Sequence, residues 1–266
     1  GMGVTTIGLS LLTRAPIVVA WSTPGAALLI ASLPGVPYAQ AIGAFVMAAV
    51  LMTAAGMTGW FDKLMRALPA SIASALLAGI LFRISVDVFV QAQHQTLLLL
   101  VMFALYLLGR RFWPRYAVPG VLLAGVALAG ALGQLHFESF HFALARPVWT
   151  TPAFSLQAFV SIAVPLFIVA LASQNIPGLA VLRADGYHVQ ASPLITVTGI
   201  ASALLAPFGS HGINLAAITA AICTGAQADP DRNRRYTAAV VCGIGYLVAG
   251  ALAASIAALF AAFPKA

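Results

Sequence analysis

Long, continuously apolar runs fill most of this 266-residue chain, and the short loops between them carry nearly all of its charge. Such runs read as helices that cross a bilayer. In hydrocarbon, backbone N–H and C=O groups must find partners within the protein, and a helix supplies them from its own segment. A membrane β-barrel would show alternation along each strand instead. Only 7% of the residues are charged and 62% are hydrophobic, whereas roughly a quarter are charged in soluble domains. The sequence predicts an all-α polytopic membrane protein, residues 1–266 forming one membrane-transporter domain.

The predicted spans are 1–13 (partial), 16–33 (broken), 40–58, 70–90, 95–109, 117–133, 157–181, 192–206, 211–225 (short) and 236–263. Residues 1–12 are too few to cross a bilayer, which takes about 20, so this run reads as the tail of a longer helix in a fragment. If the loop with Arg14 is cytoplasmic, alternation puts Lys63, Arg66, Arg110, Arg111, Arg115, Arg183, Arg232, Arg234 and Arg235 on the same side. Arg83, Arg146 and Lys265 then lie outside, a bias of the sign that the positive-inside rule requires. The formal charge of +7 is therefore explained by membrane orientation and calls for no nucleic acid. Trp60 to Ala67 (WFDKLMRA) reads as an amphipathic interfacial turn with its charges in water.

Cys223 and Cys242 fall inside apolar runs and read as packing residues. No metal-ligand or nucleotide-binding pattern is present, and no nucleophile stands with a base at membrane depth. No enzyme, catalytic residue, metal or cofactor is expected. Gly243, Gly245 and Gly250 would permit close helix packing.

Two segments interrupt the apolar pattern. Trp21-Ser22-Thr23-Pro24-Gly25-Ala26-Ala27 divides one run, and Pro207-Phe208-Gly209-Ser210-His211-Gly212-Ile213-Asn214 precedes another. Proline withholds a backbone donor and glycine tolerates unusual angles, so each segment predicts a helix that begins at membrane depth. Paired interruptions of this kind point to a transporter's binding site. Helices beginning near Pro24 and near Ser210 would leave free N–H groups on Gly25, Ala26 and Ala27, and on His211, Gly212 and Ile213. Their positive ends could hold a carboxylate without a buried cation. His211 is the one histidine placed within a membrane segment, and its ordinary pKa of about 6.5 suits a proton-linked step. A neutral hydrogen-bonding histidine is the plainer alternative. Ser173, Gln174 and Asn175, before Pro177, would either tie helices together or face a hydrated cavity. Asp87 is expected to pair with Arg83 one helical turn away, and Asp229 and Asp231 to sit on a solvated surface with Arg232, Arg234 and Arg235.

Four blocks carry a family likeness: PIVVAWSTPGAALL (16–29), ALASQNIPGLAVLRADGY (170–187), PFGSHGINLAAITAAICTG (207–225) and DPDRNRRYTAAVVCG (229–243). On these the chain resembles the benzoate:proton symporter family of bacterial inner-membrane carriers. The resemblance implies two inverted seven-helix repeats, as in uracil permeases and sulfate-type anion exchangers, divided into core and gate domains. The third and tenth helices are then short, broken and each led into by a brief strand. Residues 16–33 would be the third helix, 157–181 the eighth and 211–225 the tenth. The chain would supply about helices 2–11 of 14, truncated at both ends. The family's site then falls on Ser22, Thr23, Gly25 and Ala26, on Gln174 and Asn175, and on His211, Gly212 and Asn214.

The expected function is import of benzoate or a similar aromatic carboxylate with protons by alternating access, the ring resting against Phe208 or Phe167. An uncoupled anion channel or exchanger and a non-transporting membrane scaffold are the alternatives. The expected partners are the carboxylate, protons and the lipid bilayer, and a homodimer is possible.

Overall fold

A computed structural model describes residues 1–67, 82, 86, 96–114, 116–133 and 142–261. Most of the predicted span 70–90, with Arg83 and Asp87, lies outside the described residues, as do Arg115, His136, Glu138, His141 and Lys265. The elements are α1 (Met2–Thr13), β1 (Val19–Ala20), α2 (Thr23–Ser32), α3 (Tyr38–Met57), α4 (Trp60–Ala67), α5 (Thr96–Phe112) and α6 (Ala117–Ala131). After them come α7 (Leu156–Ala184), α8 (Ala191–Leu205), β2 (Asn214–Leu215), α9 (Ile218–Thr224), α10 (Tyr236–Ala251) and α11 (Ala253–Ala261). Tyr38–Met57, Leu156–Ala184 and Ala191–Phe208 are long and apolar enough to cross a membrane. The predicted span 236–263 is broken between α10 and α11.

The chain divides into two compact units, residues 1–78 with 146–248 and residues 79–145 with 249–266. In the first, α3 and α8 form the most extensively packed pair. Their contact is lined by small residues. A Cβ added at Gly199 would lie 2.7 Å from the Thr53 backbone nitrogen, and one at Gly56 would lie 2.6 Å from that of Thr196. The hydroxyls on this interface do not cross it. Thr53 donates to the Ala49 carbonyl at 2.8 Å and Thr196 to the Ser192 carbonyl at 2.9 Å, so they satisfy themselves within their own helices. Gly243 in α10 packs tightly on Gly3 of α1, but Gly245 and Gly250 have open space where a side chain would go. Of the three glycines read as packing positions, only Gly243 acts as one.

Helix α7 is a continuous 29-residue rod with two widened turns, Phe159–Ala163 and Leu171–Asn175. Each wide turn ends two residues before a proline, Pro165 or Pro177. A proline ring clashes with the carbonyl four residues back and offers that carbonyl no N–H. Widening the preceding turn relieves both problems without breaking the rod.

Helix α4 matches the interfacial turn expected over 60–67, with Trp60 and Lys63 exposed and Phe61 fully buried. Asp62, expected to face water, instead spreads its carboxylate over the first turn of α8. Its two oxygens accept the N–H groups of Ala191 and Ser192, each at 3.2 Å. That turn has four N–H groups without helical partners and a positive end, so a carboxylate is the natural cap.

In the second unit α5 packs on α6, with Gly125 against Met102 and Gly109 against Ala117. The Ser255 hydroxyl of α11 accepts the Ala143 N–H and donates to the Ala143 carbonyl, both at 2.9 Å.

Candidate functional site

Strands β1 and β2 form a two-residue antiparallel ribbon, with Val19 opposite Leu215 and Ala20 opposite Asn214. Extended backbone at membrane depth survives only if its outer edges are also satisfied, and here helix side chains satisfy them. On the β1 edge, the Thr6 hydroxyl of α1 accepts the Val19 N–H at 3.1 Å, and Ser10, one turn on, donates to the Ile17 carbonyl at 2.8 Å. On the β2 edge, Asn175 of α7 accepts the Leu215 N–H at 2.9 Å, and Ser202 of α8 accepts the Ile213 N–H at 2.7 Å. All four side chains are buried. Thr6, Ser10 and Ser202 were not singled out in the sequence, where a lone hydroxyl in an apolar run is their only signal.

The first interruption behaves as the punctuation predicts. Ser22 caps α2, its Oγ accepting the Gly25 N–H at 3.0 Å, while the Ser22 carbonyl accepts the Ala26 N–H at 2.8 Å. The Gly25 and Ala26 donors expected to be free are therefore occupied within the cap. Gly25 sits in a tight space, since a Cβ there would lie 3.0 Å from a Leu166 methyl group. Thr23 is exposed.

The second interruption differs from expectation. No helix begins near Ser210. A tight turn closes with Gly209 at φ 87°, the chain runs extended through β2, and α9 begins only at Ile218. The Ile213 N–H is thus held by Ser202 rather than presented as part of a helix N-terminus. Gly212, at φ 140°, holds a conformation costly for any other residue. A side chain there would also press on the Asn214 amide, 3.3 Å away.

Beside the ribbon lies a small cleft of about 20 Å³, and His211, Gly212 and Asn214 form its polar border. Its remaining wall is apolar, with Phe45 and Met52 of α3 and Phe167 of α7, and Ser202 adds a hydroxyl. The His211 ring lies edge-on to Trp21 at 5.6 Å and to Phe45 at 6.2 Å. Its Nε2 is buried with no hydrogen-bond partner. A buried polar atom left open in this way asks for a ligand group or a water.

The other nominated residues serve this border indirectly or lie away from it. Asn175 is fully buried, donating from Nδ2 to Asn214 Oδ1 at 3.3 Å and accepting from β2. Gln174 is half-buried and does not line the cleft. Of the two phenylalanines considered for a bound ring, Phe167 lines the cleft, whereas Phe208 packs edge-on against Trp149 at 5.3 Å. Among the described residues no group of His, Cys, Asp or Glu could hold a metal ion, and Cys223 and Cys242 are free thiols.

The loop after α9 is a solvated surface as expected, with Asp231, Arg232 and Arg234 exposed, and two of its arginines also tie it to the fold. Arg235 donates to the carbonyls of Thr224 and Asp229 at 2.7 and 2.8 Å, and the Arg232 guanidinium lies 4.6 Å above the Tyr187 ring.

Residues 1–266 match the protein family described as Benzoate membrane transport protein. The chain is 42% identical over 263 residues to the inner membrane protein YdcO of Escherichia coli, an alignment that takes in 99% of this chain and 67% of that protein. It is 38% identical over 265 residues to the benzoate membrane transport protein of Acinetobacter baylyi, with 100% of this chain and 67% of that protein aligned.

Proposed function

Since the chain belongs to the benzoate membrane transport protein family, we propose that it carries benzoate or a similar aromatic carboxylate across the bacterial inner membrane together with protons. It is a multi-pass membrane protein, and its matched relatives are named as membrane and transport proteins rather than enzymes. The observation that carries the reading is the cleft beside the ribbon. It joins an apolar wall of aromatic and thioether side chains to a polar border with an unfilled nitrogen on His211. A benzoate has the same division, a flat apolar ring and a carboxylate that only accepts hydrogen bonds. Phe45, Phe167 and Met52 would hold the ring, and His211, Gly212 and Asn214 the carboxylate.

Both half-helices, the ribbon and the cleft belong to the first compact unit. That suits a core domain of the inverted-repeat architecture, which moves its substrate by alternating access. The second unit would then belong to the gate. Ser22, as the cap of α2, and Asn175, through Asn214, would support the site, while the N-terminal turn of α2 with Thr23, Gly25 and Ala26 lends its positive end.

The test is uptake of labelled benzoate into cells or proteoliposomes containing the chain, with and without a proton gradient. Accumulation that collapses with a protonophore supports symport. Accumulation unaffected by it would leave an uncoupled carrier, and no uptake above empty vesicles would refute the reading.

A further inference from the structure

Residues 146–155, which lead into α7, run without helix or strand, and most of them are exposed. Arg146, placed outside the membrane by the charge bias, opens the segment. What holds it is its contact with two other elements. The Thr150 N–H donates to the Pro207 carbonyl at 2.8 Å, and the Trp149 ring meets the Phe208 ring edge-on at 5.3 Å. Three residues on, the Ala153 N–H donates to the Ala39 carbonyl at 2.9 Å, and the Ser155 hydroxyl donates to Gln40 Oε1 at 3.2 Å. The Ala153 carbonyl lies so close over Gly43 that any side chain there would collide with it. The segment is thus a strap fastened at two points, to the turn Ala206–Phe208 and to the first turns of α3.

Those two elements carry different walls of the cleft. Phe45, Ala48, Ala49 and Met52 come from α3, whereas His211 and Gly212 follow directly on the turn. The cleft measures about 20 Å³, enough for one water, while a cavity that takes up benzene measures on the order of 150 Å³. An aromatic carboxylate therefore enters only when the walls part. Between the Thr150 and Ala153 amides the strap has three residues of chain, which reach at most about 11 Å. Its two anchors cannot move further apart while both bonds hold. The bonds are inexpensive to open, because both donors are only half-buried and water can replace the lost partner.

We propose that the strap 146–155 is a latch on the cleft, closed in this structure, which lets go of Pro207 or Ala39 when the cleft widens to admit its ligand. Resting on the proposed carboxylate site, the latch adds how that site opens.

Two variants test it without touching a cleft residue. Thr150→Pro removes the donor to Pro207 at a position outside any helix or strand, where proline is tolerated. Trp149→Ala keeps the backbone bonds and removes the ring contact with Phe208. Each is combined with Ala48→Cys, which puts a thiol on the cleft wall, and labelling by an aromatic maleimide is timed at each cysteine by peptide mapping. Loss of one latch contact should raise the open fraction, and the labelling rate at position 48, about 2–10-fold. Cys223, buried and not among the cleft residues, should keep its slow rate. Benzoate affinity of Thr150→Pro without the added cysteine, measured by calorimetry, should rise by a similar factor, because widening no longer works against the bond. An unchanged rate at position 48 in both variants would overturn the latch, even if benzoate binds to all chains alike. Labelling that quickens equally at Cys223 would mean a loosened fold and would overturn it too. Faster labelling at position 48 alone, in chains that bind no benzoate, would uphold the latch and remove the substrate reading.

Discussion

Asn175→Leu should loosen the ribbon without opening a cavity, because leucine keeps the branched four-heavy-atom skeleton of asparagine and is the bulkier of the two. The Leu215 N–H, bonded at 2.9 Å in a fully buried position, would lose its acceptor, at a cost of about 1–3 kcal/mol. Asn214 Oδ1 would lose a donor at 3.3 Å. Water at the cleft border can partly replace that bond, so its loss costs about 0.5–1.5 kcal/mol. Together the expected destabilisation is about 1.5–4.5 kcal/mol. At roughly 2–4 °C per kcal/mol for a chain of this size, the melting temperature should drop by about 3–18 °C. Thermal unfolding in detergent can be followed with a thiol-reactive dye, since Cys223 is buried and Cys242 half-buried until the chain opens. A shift below about 1 °C would show that the amide does not hold β2.

Three further outcomes are expected. Gly199→Ala should destabilise by about 1–3 kcal/mol through overpacking against the Thr53 backbone, whereas Gly8→Ala, with open space at that position, should leave the melting temperature unchanged or raise it. Asp62→Ala removes the cap from α8 and should cost about 0.5–2 kcal/mol, read as a lower melting temperature that Asp62→Asn partly restores. Phe167→Leu should weaken benzoate binding while sparing aliphatic carboxylates of similar length, measured by competition, because an aliphatic chain gains little from a flat aromatic wall.

The positions of the interruptions were legible because proline and glycine act locally. Pro24-Gly25 and Gly209-Ser210 alone announce that a helix cannot continue. Where the second half-helix starts was not legible. Leu215 and Ile213 are held out of a helix by Asn175 and Ser202, partners 40 and 11 positions away whose pairing exists only in three dimensions. The same limit explains Asp62. Its polarity fits an interfacial turn, but the N-terminus it caps lies 129 positions later. The widened turns of α7 lie between the two cases. Pro165 and Pro177 signal a perturbation, yet sequence alone does not distinguish a break from a bulge. His211 was found through its rarity at membrane depth, but its buried, unpartnered Nε2 emerged only from the fold.

The ribbon also sets a timetable for biogenesis. Val19 pairs with Leu215, a separation of 215 − 19 = 196 residues. At about 5–20 residues per second, the ribosome delivers the second strand on the order of 10–40 s after the first. Throughout that delay the early strand has a hydroxyl from α1 on one side and nothing permanent on the other. It must therefore wait in a hydrated or chaperoned setting rather than in lipid, and a stall before residue 215 should leave a nascent chain that quality-control proteases recognise.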